Sequence, residues 1–265
     1  MGQPRVIVVT GASSGMGAAT VKRLHAQGDR VIGIDLAEAE IIADLGIPEG
    51  RRHAISEVAR LSGGAIDGLV TFAGLGGLPD RAGSLLVSVN FFGTVALLEG
   101  LRPLLVEGNS PSAIAIASNS MTCQPGVPTD VVERCLEDDE EGARRAADLA
   151  GSIQSYPASK LAIARWVRRH APLPAWAGAG IALNAIAPGA VETPLLEATR
   201  DDPLLGPLLE AFPVPLGRNG TPDELAGVVA FLLGDDARYF CGSVLVVDGG
   251  TEASLRSDDL PSPLG

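Results

Sequence analysis

Residues 6–17 read VIVVTGASSGMG, an apolar run that leads directly into a glycine-rich turn. The stretch that follows, from Ala18 to Gln27, has the apolar spacing of a helix. Glycines between a strand and a helix let the backbone turn tightly and leave the first amide groups of the helix open to an anion. This order predicts the first βαβ unit of an α/β fold, with an anion-binding turn.

Further apolar runs, rich in Val and Ile, alternate with amphipathic stretches along the chain. Strands that are apolar on both faces are typical of a parallel sheet covered by helices on both sides. We therefore predict an α/β fold with a doubly wound parallel sheet of the Rossmann type. The predicted strands are Val6 to Val9, Val31 to Ile34, Leu69 to Phe72, Ile114 to Ile116, Ile181 to Ile186 and Val244 to Val247.

No internal repeat or low-complexity linker divides the chain, so residues 1–265 are predicted to form a single domain. Residues 123–154 stand apart from the strand–helix alternation. They begin with a Pro/Gly stretch and continue with a helix that carries Val132, Cys135 and Leu136 on one face. We predict a small helical insertion here, before Tyr156 and near the substrate site.

The composition and net charge of the chain indicate which classes of partner it can bind. Hydrophobic residues make up 46% of the chain and charged residues 20%, which favours a folded globular protein. The formal net charge of -12 argues against a nucleic-acid partner, because phosphate backbones are bound by clustered Lys and Arg. The pair Arg51-Arg52 and the acidic run from Asp138 to Glu141 are interpreted as solvated surface charge.

The cysteines indicate whether the protein binds a metal, and the N-terminal residues indicate where in the cell it is found. Cys123, Cys135 and Cys241 form no CxxC pair, so we predict no metal site and reduced thiols. The chain runs from Met1 into a short apolar strand without the pattern of a secretory signal. No apolar stretch approaches the roughly 18 residues of a membrane span. A cytoplasmic protein with no membrane partner is expected.

The second predicted strand ends at Asp35, about 18 residues after Gly17, where a dinucleotide site has an acid for the adenosine ribose hydroxyls. A carboxylate there repels the 2′-phosphate of NADP. No Lys or Arg follows at Leu36 or lies within the glycine turn. The sequence therefore favours NAD as the cofactor, the alternative being an Asp that simply ends a strand.

Residues 156–160 read YPASK, and this Tyr-x-x-x-Lys lies downstream of Thr-Gly-x-x-x-Gly-x-Gly at residues 10–17. Together the two motifs resemble the short-chain dehydrogenases/reductases. The likeness covers nearly the whole chain and continues, in the family's order, through Asn90, Ser118, Asn184 to Gly189, Thr193-Pro194 and Val247 to Gly250.

Within the family, the chain is similar to the bacterial 3α-hydroxysteroid dehydrogenase/carbonyl reductase group. The likeness lies in Val31 to Asp35, which is followed almost at once by Ile41 to Leu45 with no room for a helix. One departure from the family is Thr71-Phe72-Ala73-Gly74 where many members have Asn-Asn-Ala-Gly. Another is Met16, which replaces a branched residue and is expected to affect packing alone.

The pair Tyr156 and Lys160 predicts the chemistry. Residues four apart lie on one face of a helix. A free tyrosine has a pKa of about 10, which an ammonium within about 4–6 Å is expected to lower. We assign Tyr156 as the general acid/base. The resemblance implies that Lys160 also holds the nicotinamide ribose, that Ser118 bonds the substrate oxygen, and that Asn90 supports a water near Lys160.

The glycine turn and the resemblance together imply a set of cofactor contacts besides Tyr156 and Lys160. Ala73 and Gly74 are expected to pass under the cofactor, and Asp44 and Leu45 to contact adenine. The set consists of Gly11, Ser13, Ser14, Gly15, Met16, Gly17, Asp35, Asp44, Leu45, Ala73, Gly74, Pro188, Gly189, Val191 and Thr193.

The predicted function is that of an NAD-dependent oxidoreductase that interconverts a secondary alcohol and a carbonyl. We expect a pocket bounded by Leu75 to Leu78, Asn119 to Thr122, the inserted segment and Leu195 to Phe212. These segments are apolar, so a hydrophobic substrate such as a hydroxysteroid or a cyclic or aromatic ketone is expected. The resemblance also implies a homo-oligomer, either a dimer or a tetramer. The alternatives are a nucleotide-binding regulatory protein without turnover and an epimerase or dehydratase that uses the same tyrosine.

Overall fold

A computed structural model describes residues 4–259, in which seven strands form one sheet. The ends of the predicted domain, residues 1–3 and 260–265, lie outside the described residues. The sheet order is β3-β2-β1-β4-β5-β6-β7, and every pairing is parallel. The strands are β1 Val6–Thr10, β2 Arg30–Asp35, β3 Ile41–Ile42, β4 Gly68–Thr71, β5 Ser112–Ile116, β6 Ala182–Pro188 and β7 Val244–Val247. The predicted doubly wound parallel sheet is confirmed.

Helices cover both faces of this sheet. In the described part of the chain the α-helices are α1 Gly15–Ala26, α2 Pro48–Ser62, α3 Gly83–Val87, α4 Thr94–Val106, α5 Ser120–Cys123, α6 Thr129–Leu136, α7 Glu140–Ala150, α8 Ser152–His170, α9 Pro194–Asp201, α10 Leu205–Glu210, α11 Pro222–Leu232 and α12 Thr251–Leu255. Side chains alternate along each strand, so Val8 belongs to one hydrophobic core while Ile7 and Val9 belong to the other. The first core packs α2, α4 and α8, and the second packs α1 and α11.

The order of the strands in the sheet predicts where a ligand binds. The chain runs outward from β1 to β3 and then returns, so β4 pairs with the other side of β1. The connections that leave β1 and β4 therefore diverge at their carboxyl ends. In open α/β sheets, this switch point is where ligands bind. The glycine turn after Thr10 and the segment after Thr71 both begin there.

Helices α3 and α4 are joined by a π-helical stretch, Ser88–Gly93, into one helix of 24 residues from Gly83 to Val106. By length and composition alone this helix is apolar enough to cross a membrane. Most of it is buried inside the molecule, which identifies it as a core helix. The expectation that no apolar stretch reaches the length of a span is therefore wrong for this segment.

The predicted helical insertion is present as α6 and α7. Val132 and Cys135 are buried and Leu136 is half-buried, so the face predicted from the sequence is the one that packs. Both helices pack against α8, and α7 also packs against α3. The inserted residues thus extend the core on one side of the sheet.

Two charges that the sequence assigns to the solvated surface form an ion pair, Arg51 with Glu140. Arg51 is only 7% exposed, and its guanidinium forms an ion pair with Glu140 at 2.7 Å. Arg51 lies on the same face of α2 as the buried residues Ala54 and Val58, so the helix carries it inward. The interpretation as surface charge is wrong for Arg51, and Glu140 is half-buried because a buried guanidinium requires a paired carboxylate.

Candidate active site

A cleft of about 490 Å³ opens at the carboxyl ends of the strands. Ser118, Tyr156 and Lys160, three of the four predicted catalytic residues, line it. The predicted cofactor contacts that line the same cleft are Gly11, Ser14, Gly15, Met16, Gly17, Asp35, Asp44, Leu45, Ala73, Gly74, Pro188, Gly189, Val191 and Thr193. The fold thus brings residues from widely separated parts of the chain into one site.

The glycine turn forms a cradle that larger residues would fill. Gly11 has φ +65° and Gly15 has φ +51°, both in the left-handed region that favours glycine. A Cβ on Gly17 would lie 2.0 Å from the Gly11 carbonyl oxygen. Ser14 precedes α1 without a side-chain cap among the described residues, which leaves the first amides of this helix available. The turn therefore fits the diphosphate of a dinucleotide.

Asp35 lies at the end of β2, where its carboxylate lines the cleft. Ser13 donates to Asp35 Oδ2 twice, from its hydroxyl at 2.6 Å and from its backbone N–H at 3.0 Å. The Leu36 N–H donates to Oδ1 at 2.7 Å. Ser13 itself is not among the residues that line the cleft, and in this arrangement it orients the Asp35 carboxylate.

The reactive side chains come from α8 and from the end of β5. Tyr156 and Lys160 are one helical turn apart, and the Lys160 Nζ lies 5.9 Å from the centroid of the Tyr156 ring. The Lys160 ammonium also donates to the Ile116 carbonyl oxygen at 2.9 Å, which ties α8 to β5. Ser118 follows β5, and its side chain acts on the Tyr156 phenol, whose pKa it lowers. A proton donor and a second hydroxyl therefore face the same space.

Burial sets the protonation of both groups. Tyr156 keeps partial exposure in the cleft, yet the protein around its phenol raises its pKa, while the contact with Ser118 acts in the opposite direction. Burial lowers the pKa of Lys160 to about 8. The expectation that Lys160 lowers the phenol pKa is wrong for this arrangement, because burial raises that pKa and only the contact with Ser118 opposes the rise. The neutral phenol is the form present at neutral pH.

Asn90 lies within the π-helical stretch and is fully buried, behind the cleft rather than on its surface. Its Nδ2 donates to the Leu75 carbonyl oxygen at 3.0 Å and to Ser159 Oγ at 3.2 Å. The Leu75 N–H returns a hydrogen bond to Oδ1 at 2.7 Å. Asn90 therefore fixes the Gly74–Leu75 backbone beside α8, and its support of a water stays a prediction.

The residues that line the pocket match only in part those expected from the sequence. A smaller cavity of about 270 Å³ shares part of the wall of the main cleft; it is lined by Gly74, Leu75, Gly76, Leu78, Arg81, Pro194, Leu195 and Ala198. Of the walls expected at Leu75 to Leu78 and at Leu195 to Phe212, the cavities are lined by Leu75, Gly76, Leu78, Leu195, Leu196 and Ala198, and the rest of the second segment does not line them. Neither cavity is lined by Asn119 to Thr122 or by residues 123–154. That part of the expectation is wrong, because α6 and α7 pack on the outer side of α3 and α8.

Leu85, Val89 and Arg81 are among the cleft residues that sequence reasoning missed. Leu85 and Val89 line the cleft from the helix that carries Asn90, and their spacing of four residues was the available signal. Arg81 also lines the cleft, with its guanidinium bonded to the Gly76 carbonyl oxygen. Nothing in the local pattern around Arg81 distinguishes it from a surface arginine.

Comparison with known proteins defines the class of enzyme. The family model for short chain dehydrogenase matches residues 5–129, and the model described as Enoyl-(Acyl carrier protein) reductase matches residues 143–252. The chain belongs to the short-chain dehydrogenase/reductase family and is an oxidoreductase, as the sequence motifs predicted. The alternative of a regulatory protein without turnover has no support in these findings.

Individual relatives refine this placement. The chain is 41% identical to the 3-alpha-hydroxysteroid dehydrogenase/carbonyl reductase of Comamonas testosteroni, over 95% of this chain and 98% of that protein. The crystal structure of the 3-alpha-hydroxysteroid dehydrogenase from Pseudomonas sp. B-0831, complexed with NADH, has a TM-score of 0.92 and 44% identity. The match covers 96% of this chain and 99% of the chain in that crystal structure. The cis-4-hydroxycyclohexanecarboxylate dehydrogenase of Sinomonas cyclohexanicum is 31% identical, over 94% of this chain and 97% of that protein. The predicted similarity to the bacterial hydroxysteroid group is confirmed.

Proposed function

We propose that this protein is an NAD-dependent enzyme that interconverts a secondary alcohol and a carbonyl on a hydrophobic, cyclic substrate such as a hydroxysteroid. The observation that carries the proposal is the shared cleft, in which Ser118, Tyr156 and Lys160 lie together with the glycine turn and Asp35. The named activities of the relatives from Comamonas testosteroni and Pseudomonas sp. B-0831 support the same substrate class.

Each side chain in the cleft has a defined part in the reaction. A bound nicotinamide ring supplies or accepts the hydride. Tyr156 gives its phenol proton to the carbonyl oxygen during reduction and takes a proton from the alcohol during oxidation. Ser118 donates a hydrogen bond to the same oxygen, which orients it toward Tyr156. Lys160 would hold the ribose hydroxyls next to the ring.

The choice of NAD over NADP follows from charge. The Asp35 carboxylate is held at the cleft by Ser13 and by the Leu36 N–H, with lone pairs left to accept from ribose hydroxyls. A 2′-phosphate at this position meets a fixed negative charge. In this assignment Asp44 and Leu45 would hold the adenine, and Gly189 and Thr193 would hold the nicotinamide.

A hydrophobic substrate is favoured by the composition of the walls. Leu75, Leu195 and Leu196 line the main cleft near the catalytic residues, and Leu78 lines the adjoining cavity. Burial of an apolar ring system against such side chains contributes roughly 25 cal/mol for each Å² removed from water. A compact ring system gains more from these walls than a small charged hydroxy acid does.

The test is an absorbance assay at the band of reduced nicotinamide, with purified protein, NAD and a panel of alcohols. The panel contains 3α-hydroxysteroids, cyclic secondary alcohols and small charged hydroxy acids. We expect turnover of the hydrophobic members, and we expect Tyr156→Phe to lower kcat by about a hundredfold or more while NADH still binds. Activity confined to the hydroxy acids would overturn the substrate class, and near-normal turnover by Tyr156→Phe would overturn the mechanism.

We also infer a cytoplasmic location and a small-molecule substrate, with no nucleic-acid or membrane partner. The three cysteines are free in the structure, which suits a reducing compartment. The net charge of -12 disfavours contact with nucleic acid or with anionic lipid surfaces. The assembly inferred from the family resemblance is a homodimer or homotetramer.

A further inference from the structure

Arg51 joins three separate segments of the chain through one buried guanidinium. Its Nε donates to the Leu45 carbonyl oxygen at 2.8 Å, and its Nη2 donates to the carbonyl oxygens of Gly46 at 3.3 Å and Ser88 at 3.0 Å. Both terminal nitrogens also donate to the Glu140 carboxylate, each at 2.7 Å. Such a two-pronged contact fixes the plane of the guanidinium as well as its position.

Two of these segments belong to the cleft. Asp44 and Leu45 line it directly, and Val89, which follows Ser88, lines it as well. The Asp44 backbone also lies against the first turn of α2, where a Cβ on Gly50 would come within 1.9 Å of the Asp44 carbonyl oxygen. The shape of this edge of the cleft therefore depends on where α2 and its Arg51 side chain are held.

Glu140 supplies the third segment, and it comes from the inserted helices. It is the first residue of α7, whose start is fixed because Asp139 accepts a hydrogen bond from the Gly142 N–H at 2.8 Å. Burial acts to raise the pKa of Glu140, but the hydrogen bonds and charge of Arg51 outweigh it and the pKa is lowered. Glu140 is therefore ionised at neutral pH and balances the buried guanidinium.

We propose that the inserted helices control affinity for the adenosine half of the cofactor, with Glu140 as a positioning residue that holds Arg51 against the Asp44–Gly46 backbone. The inference rests on the proposed function, in which this edge of the cleft receives adenine. Glu140 lines neither of the two cavities. It acts through Arg51 and its neighbour Ser88 and not through the reactive groups, so its removal leaves proton transfer at Tyr156 unchanged.

The test uses Glu140→Gln, which keeps the shape of the side chain and removes its charge. Three quantities are measured: the Kd of NADH by fluorescence titration, the Ki of AMP as a competitor of NADH, and kcat at saturating NAD. We expect NADH and AMP each to bind about tenfold more weakly, which corresponds to about 1.4 kcal/mol. We expect kcat to stay the same, because the reactive groups are untouched.

Glu141→Gln is the matched control. Glu141 is the next residue of α7 and pairs with Arg145 one turn along the same helix, where both side chains are exposed. Removing this charge is expected to leave both NADH and AMP binding as in the unmodified protein. A loss of affinity in Glu141→Gln equal to that in Glu140→Gln would overturn the proposal in favour of a general effect of charge on α7.

Other outcomes separate this inference from the proposed function. Unchanged NADH affinity in Glu140→Gln, or weaker NADH binding with unchanged AMP binding, contradicts the positioning role. Failure of the unmodified protein to bind NADH, or failure of AMP to compete, contradicts the proposed function of the cleft instead. If Glu140→Gln does not fold, Glu140→Asp is measured instead, since it keeps the charge on a shorter side chain. In Glu140→Asp, hydrogen exchange of the Asp44–Gly46 amides must then be faster than in the unmodified protein.

Discussion

Lys160 is a cation with almost no contact with water, being 6% exposed, and this has a cost for folding. Its pKa is about 8 in the folded protein, below the ordinary lysine value of 10.5. Between these two pH values the unfolded chain binds more protons than the folded one, so the folded state gains stability as pH rises through this window. Below about pH 8 the full cost of burying the ammonium is present.

We expect Lys160→Met to remove this dependence. Relative to the unmodified protein, the variant gains stability at pH 7, and the pH-dependent part of the gain is on the order of 3 kcal/mol. This part disappears by about pH 10.5, where the lysine is neutral in both states. Denaturant unfolding of both proteins at a series of pH values measures it, and a stability difference that stays constant with pH would contradict the expected burial of a charged amine.

Asp35→Ala tests the preference for NAD. Removal of the carboxylate takes away a hydrogen-bond acceptor for the ribose and the negative charge that opposes a 2′-phosphate. We expect the Kd of NADH to rise about tenfold, because the loss of a charged hydrogen bond costs about 1.5 kcal/mol. We expect the Kd of NADPH to rise less or to fall. Titration of both cofactors measures the ratio, and an unchanged preference would place the ribose contact elsewhere.

At the scale of residues, local spacing in the sequence was enough to find the residues that line the cleft. It was not enough to find the residues behind the cleft that hold its edge in place. Tyr156, Lys160 and Asp35 are recognisable because each role depends on a short motif or on a strand end. Arg51 and Glu140 are 89 positions apart, and no local pattern joins them. The one available signal was the position of Arg51 on the apolar face of α2, where an unpaired charge is costly.

At the scale of elements, the apolar runs predicted every strand except the two-residue β3, because strands buried on both faces leave an uninterrupted signal. Their ends were missed by one or two residues, since polar residues such as Thr10, Arg30 and Asp35 still pair within the sheet. The place of α6 and α7 was also missed. Amphipathic spacing shows that a helix packs, but it does not show which neighbour covers it.

The glycine turn supports a prediction at this scale. In Gly17→Ala the new Cβ falls 2.0 Å from the Gly11 carbonyl oxygen, so the turn must move away from α1. We expect a loss of stability of about 1–3 kcal/mol and a loss of NADH binding. Gly178→Ala is the control, because its Cβ meets only ordinary contact at 3.4 Å. Thermal unfolding and NADH titration measure both effects, and a Gly17→Ala protein that binds NADH normally would contradict the cradle.

At the scale of the whole molecule, β7 forms one edge of the sheet in the described part of the chain. All four of its residues keep partial exposure, in contrast to the fully buried β4 and β5. An apolar edge strand that keeps partial exposure favours association with another copy. We expect light scattering to give the mass of a dimer or a tetramer, and a stable monomer at micromolar concentration would contradict this assembly.

The π-helical stretch Ser88–Gly93 limits how the gene for this protein can change length. A π-helical turn closes its hydrogen bonds over one more residue than an α-helical turn, so loss of a single codon here would let the helix become regular. Each residue of an α-helix advances the side chains by about 100°, so everything downstream would rotate by that angle. Asn90 or the apolar face of α4 would then turn away from its partners. Insertions and deletions should therefore accumulate elsewhere in related genes, in exposed connections between helices.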